Sequence, residues 1–388
     1  MITKFGSLFA GHVDMDNIGL DGTPVNDRFL SEDQLNTVYD KTEAIVKLMD
    51  RVGYDVFWAA AHRFQREGYE CLPNLLMLYL HLSHITKNIK FGCGFNVTPM
   101  WHPLRLAEDY ATADILTNGR VIFGVGRGYH SREVETFGNP IIDQAANRDL
   151  FEEQVDIIFK AFNQESFSHH GQYYDIPPKV LYRDYTLEEI TLVPRPTHPV
   201  ECWQPIQSAT PRGLEFMAKH GIKGLILGTH TDYVDEYMIK FQAANAKYGR
   251  ELPLGGNLAL GLWAYVDDTV ERAEKALEPM FEEHVKFAAP LGMLRYTEEQ
   301  MKEIGPGGVA RHIAAGSDFR DVLNKKAWFA GNPETTIAYL KEISQGAVAY
   351  TTLGHCHTPA SNSQAYVDEN VAEGGVTPTT LRVTWETE

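Results

Sequence analysis

Residues 91–138 constrain what this chain can fold into more than any other stretch. Two apolar runs, at 89–96 and 120–125, flank a segment at 102–116 whose apolar residues recur at helical spacing. Strand, helix, strand at this separation is a βαβ unit, and its crossover implies parallel strands. Each run opens into a loop of Gly, Pro or His, with no tight hairpin turn. The second loop, Gly126-Arg127-Gly128-Tyr129-His130, places a permanently charged guanidinium between two flexible glycines. The residue types alone leave two readings. Either an anion approaches the backbone closely here, or the loop is a tight turn with a surface arginine.

The chain has 388 residues, 44% of them hydrophobic, and can bury a large core. An α/β barrel of about 250 residues with insertions accommodates this length, and we expect one domain over 1–388. A net charge of −17 argues against nucleic acid and anionic membrane surfaces as partners. The sequence contains no run of 18 apolar residues, and it opens on a strand pattern instead of a leader. Cys71, Cys93, Cys202 and Cys356 are scattered without a CxxC pair, which suits a reducing compartment. A cytoplasmic protein is expected.

In chain order, 4–9 reads as a first strand, and 10–31 as a long Gly- and Pro-containing loop, either a functional cover or a disordered segment. A helix at 38–52 stops at Gly53, and an apolar strand at 54–61 ends at His62. That histidine either tethers a loop or faces an active site, since the C-terminal ends of barrel strands carry the chemistry. A helix at 147–162 carries Arg148 near its start. Residues 168–199 are irregular and aromatic-rich, and read as a cover for the barrel rim. At 207–211, Gln207-Ser208-Ala209-Thr210-Pro211 opens a helix to His220; ordinary capping explains the pattern, and so does an anion held at the helix start. Strands follow at 222–227, with His230 at the mouth, at 256–266 and at 347–353. Residues 290–325 form an insertion, and 354–388 a divergent tail. His355, Cys356 and His357 have no second group of partners, so no metal site is expected. No GxGxxG follows a strand, which leaves a Rossmann-type NAD site unsupported.

Three ordered motifs add to this reading: Pro99-x-x-His102-Pro103-x-Arg105-x-Ala107-Glu108, Asp114-x-Leu116-x-x-Gly119-Arg120, and Gly124-Val125-Gly126-Arg127-Gly128 followed by Phe137-Gly138. The stretch resembles the bacterial luciferase-like flavin-dependent monooxygenases. The resemblance implies a (β/α)8 TIM barrel with loop insertions, with reduced FMN, or in some branches F420, at the C-terminal ends of the strands. His62 matches the first histidine of the family's Glu-His-His-Phe, although Ala61 and Arg63 replace its neighbours. It is the implied catalytic, proton-handling group. A non-proline cis peptide at Gly94-Phe95, with Asn96 beside it, is implied beneath the flavin ring. Arg127, Gly128, Tyr129, Arg148, Gln207, Ser208 and Thr210 are the implied remainder of the cofactor site.

Phe9, His12, Trp58, Trp101, Tyr129 and His230 are predicted near the mouth, where they would suit a flat or cyclic substrate. The resemblance further implies the oxygenase component of a two-component system, fed with FMNH2 by a separate NAD(P)H-dependent flavin reductase. That component would use O2 through a C4a-peroxyflavin for hydroxylation, Baeyer–Villiger insertion or oxidative ring opening. A homodimer is expected, with 290–325 as a lid or an ordinary surface insertion. Two alternatives remain: an F420-dependent oxidoreductase on the same fold, and a non-catalytic flavin-binding partner subunit.

Overall fold

The computed structural model of the protein describes residues 2, 4–227, 231–288, 291, 319–324, 328–344 and 350–353. Eight parallel strands form a closed ring: β1 (Lys4–Phe9), β2 (Val56–Ala59), β3 (Lys90–Cys93), β4 (Val121–Gly126), β5 (Cys202–Pro205), β6 (Lys223–Leu227), β7 (Leu258–Val266) and β8 (Tyr350–Leu353). Each strand pairs with the next, and β8 returns to β1 with Tyr350 opposite Lys4. The first seven strands are followed by helices α1 (Glu32–Val52), α2 (Leu75–Ile85), α3 (Pro103–Leu116), α4 (Gln144–Asn163), α5 (Pro211–His220), α6 (Thr231–Ala246) and α7 (Val270–Ala288), and α8 (Pro333–Ser344) precedes β8. The expected (β/α)8 barrel is the observed one.

Local chemistry sets the helix boundaries. Ser31 and Gln34 form a capping box at the start of α1, six residues earlier than periodicity alone suggests, and Gly53 ends that helix in the left-handed region. Asn74, His102, Asp143 and Thr210 cap α2, α3, α4 and α5, each accepting from a backbone N–H inside the first turn. The apolar run at 89–96 is not one strand. It is interrupted at a cis Gly94–Phe95 peptide, and Asn96–Val97 then pairs separately with Val125–Gly126. Within 168–199, a short hairpin is fastened to the flank of α4, where Glu153 accepts from the N–H groups of Gln172, Tyr173 and Tyr174.

Strand alternation divides the core into two layers. Leu8, Val56, Trp58, Ile122, Trp203, Leu225 and Ala259 fill the barrel interior. Phe9, Phe57, Phe91 and Phe123 point outward, to the layer packed under the helices. Trp58 and Trp203 meet edge to face, with ring centroids 5.6 Å apart. Two such indoles fit because glycine stands opposite them: a Cβ on Gly92 would lie 2.2 Å from the Trp58 ring, and one on Gly6 would lie 3.0 Å from it.

The loop after β1 is fastened down. Glu283 of α7 takes the Arg28 guanidinium (2.7 Å), the Gly19 N–H (2.9 Å) and the Tyr69 hydroxyl, while Lys286 donates to the carbonyls of Gly19 and Thr23. These contacts hold 10–31 against α7 and Tyr69. His230, most of 290–325 and the tail with His355, Cys356 and His357 lie outside the described residues. Among the described residues, no helix is long and apolar enough to cross a membrane.

At Gly124 a Cβ would fall 1.7 Å from the Cys93 carbonyl oxygen, a backbone atom that cannot turn aside. Gly124→Ala should therefore cost about 3 kcal/mol in urea unfolding, the upper part of the range for overpacking. A loss under about 0.5 kcal/mol, typical of a surface change, would contradict the tight β3–β4 contact.

Candidate active site

The side chains that matter come from loops at the C-terminal ends of neighbouring strands. His62 follows β2, Asn96 follows β3, the segment from Arg127 to Glu133 follows β4, and Gln207 to Thr210 follows β5. Each loop is short on its strand side, so barrel closure brings them to one mouth.

His62 is 5% exposed and sits between two carboxylates. Its Nδ1 lies 3.2 Å from both oxygens of Glu133, and its Nε2 lies 2.9 Å from the Tyr129 hydroxyl and 3.5 Å from Glu70. Tyr129 in turn donates to Glu70 Oε1 at 2.7 Å, and His130 Nε2 meets Glu70 Oε2 at 2.9 Å. Gln65 donates to Glu70 at 2.8 Å and, more weakly, to Glu133 at 3.3 Å, and the Arg63 backbone N–H donates to Glu133 at 2.9 Å.

Burial alone would lower the pKa of His62, but the charge of Glu70 and the hydrogen bond and charge of Glu133 outweigh it and raise the value. Burial would likewise raise Glu70, yet His62, His130 and Tyr129 hold it down at about 2. Tyr129 is pushed well above the ordinary phenol range by burial and by Glu70. The two ring nitrogens of His62 thus face Glu133 and the Tyr129 hydroxyl, an arrangement that favours the protonated ring.

His62, Glu70 and His130 offer ligand atoms within 4.8 Å of one another, two imidazoles and one carboxylate, a composition that divalent cations use. His62 is also hydrogen-bonded to Glu133 and Tyr129, and His130 to Glu70. Glu70, Glu133, His130 and Gln65 were not singled out from the sequence. Glu133 and His130 sit inside the motif-rich stretch, but their only signal is proximity to Arg127. Glu70 lies in a loop with no motif at all.

A second group lies beside the first. Arg127 is partly buried, and the partners of its Nη1 are neutral: Asn147 Oδ1 at 3.2 Å, Gln144 Oε1 at 3.4 Å and the Gln144 carbonyl at 3.5 Å. Burial and the like charges of Arg148 and Arg212 press its pKa down, with only Glu152 pulling the other way. Arg148 Nη1 is 3.6 Å from where a Cβ on Gly213 would be, so it reaches the first turn of α5. Thr210 caps that turn, accepting from the Gly213 N–H at 3.4 Å, and Gln207, Ser208 and Thr210 are exposed around it. Arg148 also lies 3.6 Å from Glu152, and Arg212 is paired with Asp149 and Glu152, each at 2.6 Å.

The remaining expected residues divide. Asn96 is buried at the end of β3 and donates to the Gly124 carbonyl at 3.1 Å, and Phe95 packs on the barrel interior cluster. Gly128 has φ +83 and a Cβ there would lie 2.7 Å from Val97, so only glycine fits. Three residues expected as substrate contacts are buried in packed surroundings. Trp58 plugs the barrel interior at 1% exposure. Phe9 packs outward beside Phe57, because alternation along β1 gives Leu8 the interior position, and His12 packs edge-on to Phe9 at 4.9 Å.

The family model described as luciferase-like monooxygenase matches residues 22–350, and the chain belongs to that family. It is 27% identical over 246 residues to the oxygenase component of a flavin-dependent trigonelline monooxygenase from Acinetobacter baylyi (strain ATCC 33305 / BD413 / ADP1), covering 63% of each chain. It is 31% identical over 153 residues to an uncharacterized protein, y4vJ, of Sinorhizobium fredii (strain NBRC 101917 / NGR234), covering 39% of this chain and 40% of that one. The match thus spans less than two thirds of the length of either relative. Among solved structures, the oxygenating constituent of 3,6-diketocamphane monooxygenase from Pseudomonas putida, in complex with FMN, superposes with a TM-score of 0.71 at 18% identity, over 96% of this chain and 94% of that one. An F420-dependent secondary alcohol dehydrogenase does so at 0.63 and 17% identity, over 92% and 94%.

The network predicts how stability depends on pH. His62 has a folded value above its ordinary 6.5, so its contribution is complete below 6.5 and is lost as pH rises through the raised value. Glu70 has a folded value of about 2 against an ordinary 4.5, so its contribution is present above 4.5 and lost as pH falls toward 2. Denaturant midpoints followed from acid to alkaline pH should show both limbs. In Glu70→Gln the alkaline limb should move to lower pH; an unmoved limb would mean that Glu70 does not hold the His62 proton.

Proposed function

We propose that the protein is the oxygenase component of a two-component flavin-dependent monooxygenase, which takes reduced FMN from a separate NAD(P)H-dependent reductase and uses O2 to oxygenate a small cyclic or aromatic molecule. The observation that carries this reading is Arg127. Its guanidinium is held by neutral carbonyls and crowded by Arg148, at the same mouth as a buried histidine whose pKa Glu70 and Glu133 raise.

The residues fit the cofactor. A flavin phosphate is a dianion, and Arg127, Arg148 and the Thr210-capped start of α5 supply two cations, a hydroxyl and the positive end of a helix. Ser208 and Gln207, exposed on the same turn, add neutral donors. When bound, reduced FMN supplies the electrons and the reaction with O2. Phe95 packs on the Trp58 and Trp203 cluster of the barrel interior, an apolar surface that would exclude water on that side of the ring. His62 keeps a proton at Nε2, Glu133 fixes the ring through Nδ1, and Tyr129 links it to Glu70, so a proton can be held at one point and replaced through the hydroxyl. Hydroxylation, Baeyer–Villiger insertion and oxidative ring opening all need a proton delivered at that point. A homodimer belongs to the same proposal, and Met77 and Leu116, both exposed on neighbouring helices α2 and α3, support it.

Anaerobic titration with reduced FMN should show saturable binding, and turnover should require a flavin reductase and O2. Arg127→Ala should raise the Kd for reduced FMN at least about tenfold, the worth of a charge-assisted contact. An unchanged Kd removes the phosphate assignment, and selective binding of F420 overturns the FMN reading. His62→Ala should keep FMN affinity while turnover falls about 10²- to 10⁴-fold. Full turnover in that variant would reduce His62 to a structural role.

A further inference from the structure

We propose that Arg63 anchors the substrate, and that the substrate class is an aromatic or heteroaromatic carboxylate, with its carboxylate on the Arg63 guanidinium and its ring against Phe64 and Phe137. This rests on reading the mouth as the monooxygenase site.

Arg63 directly follows His62, and its backbone N–H is fixed on Glu133 at 2.9 Å. Its side chain is half-buried, yet among the described residues its guanidinium makes only two contacts: the Met100 thioether at 3.9 Å and the face of Phe137, with Cζ 5.6 Å from the ring centroid. Among those residues it forms no ion pair. Other arginines at this end of the barrel are matched: Arg28 with Glu283 and Arg132 with Glu67. Arg120, which is also partly buried, is matched too, donating to the Ser83 carbonyl and the Thr86 hydroxyl. Arg127 lacks a carboxylate as well, but it belongs to the phosphate group across the mouth. A guanidinium has five N–H donors in a planar fork, and a thioether is a weak acceptor. Glu133, the nearest acid, is already taken up by His62, Gln65 and the Arg63 backbone. The free edge of the fork matches a carboxylate in two parallel hydrogen bonds.

The aromatic part of the inference comes from the next residue. Phe64 has φ +63, in the left-handed region that bulky side chains avoid. That conformation turns its ring outward to stack on Phe137, with centroids 6.0 Å apart and planes 26° apart, leaving the rings 51% and 45% exposed. Strained backbone of this kind clusters at active sites and ligand clamps. A cation with unused donors beside two exposed stacked rings selects a ligand that is both flat and anionic.

The test is calorimetric titration of the full chain with benzoate and naphthoate, and with benzamide and naphthamide as neutral isosteres. The wild type should bind the carboxylates at least about tenfold more tightly than the amides. Arg63→Gln should weaken carboxylate binding roughly 10- to 100-fold, the range for hydrogen bonds to a charged group, and leave amide binding nearly unchanged. Arg63→Lys should recover part of the preference, since the charge remains but the fork is lost. FMN affinity should stay at the wild-type value in both variants, which reads the integrity of the fold. The proposal is overturned if the wild type shows no carboxylate preference, or if Arg63→Gln keeps it. It is also overturned if carboxylates and amides weaken together, the result expected of a clamp that only holds Phe137 and Met100. A wild type that prefers carboxylates but binds no FMN would sink the monooxygenase reading and leave Arg63 standing.

Discussion

The mouth of this barrel depends on the packing of Trp58 in its interior. The indole lies where side chains at 6 and 92 would have been, and Trp203 closes against it from the opposite side. An interior filled this way resists compression, so the strand ends above it hold their spacing. The loops bearing His62, Asn96 and Arg127 rise from the strands this packing fixes. Binding and catalytic groups on loops keep their geometry only when the scaffold beneath them is rigid.

On that floor the mouth carries two opposite electrostatic arrangements. Around His62, both ring nitrogens and both carboxylates have hydrogen-bond partners, and low local dielectric strengthens those contacts. Around Arg127, positive charge is left in surplus, because Glu152 is shared with Arg148 and Arg212. The whole chain carries −17, so an anion gains nothing from the long-range field. Attraction must come from groups within a Debye length, about 10 Å, and that is where the arginines stand.

The first loop ties these parts to the far side of the barrel. Glu283 on α7 gathers Arg28, Tyr69, Lys286 and the Gly19 N–H, and Tyr69 directly precedes Glu70. A buried ion pair of this kind costs desolvation on both partners, and its return is a defined geometry more than net stability. Here that geometry sets the wall next to Glu70, one of the two acids that raise the pKa of His62.

The sequence by itself determined the class of fold and half of the site. Helix and strand periodicities, the Gly and Pro punctuation and the motifs between 91 and 138 are local properties, legible because side-chain direction repeats with fixed period along a strand or helix. They placed most of the strands nearly where they lie and put His62, Arg127 and Thr210 at strand ends. Local signals failed where orientation or partnership is non-local. Phe9 and Trp58 looked alike as aromatic residues at strand ends, and only the register of the closed sheet decided that one faces helices and the other the interior. Glu133 and Tyr129 stand 71 and 67 positions from the histidine they hold, and no spacing rule joins them. Charge balance around a buried proton is set by distance through space, and barrel closure alone brings those distances below 4 Å.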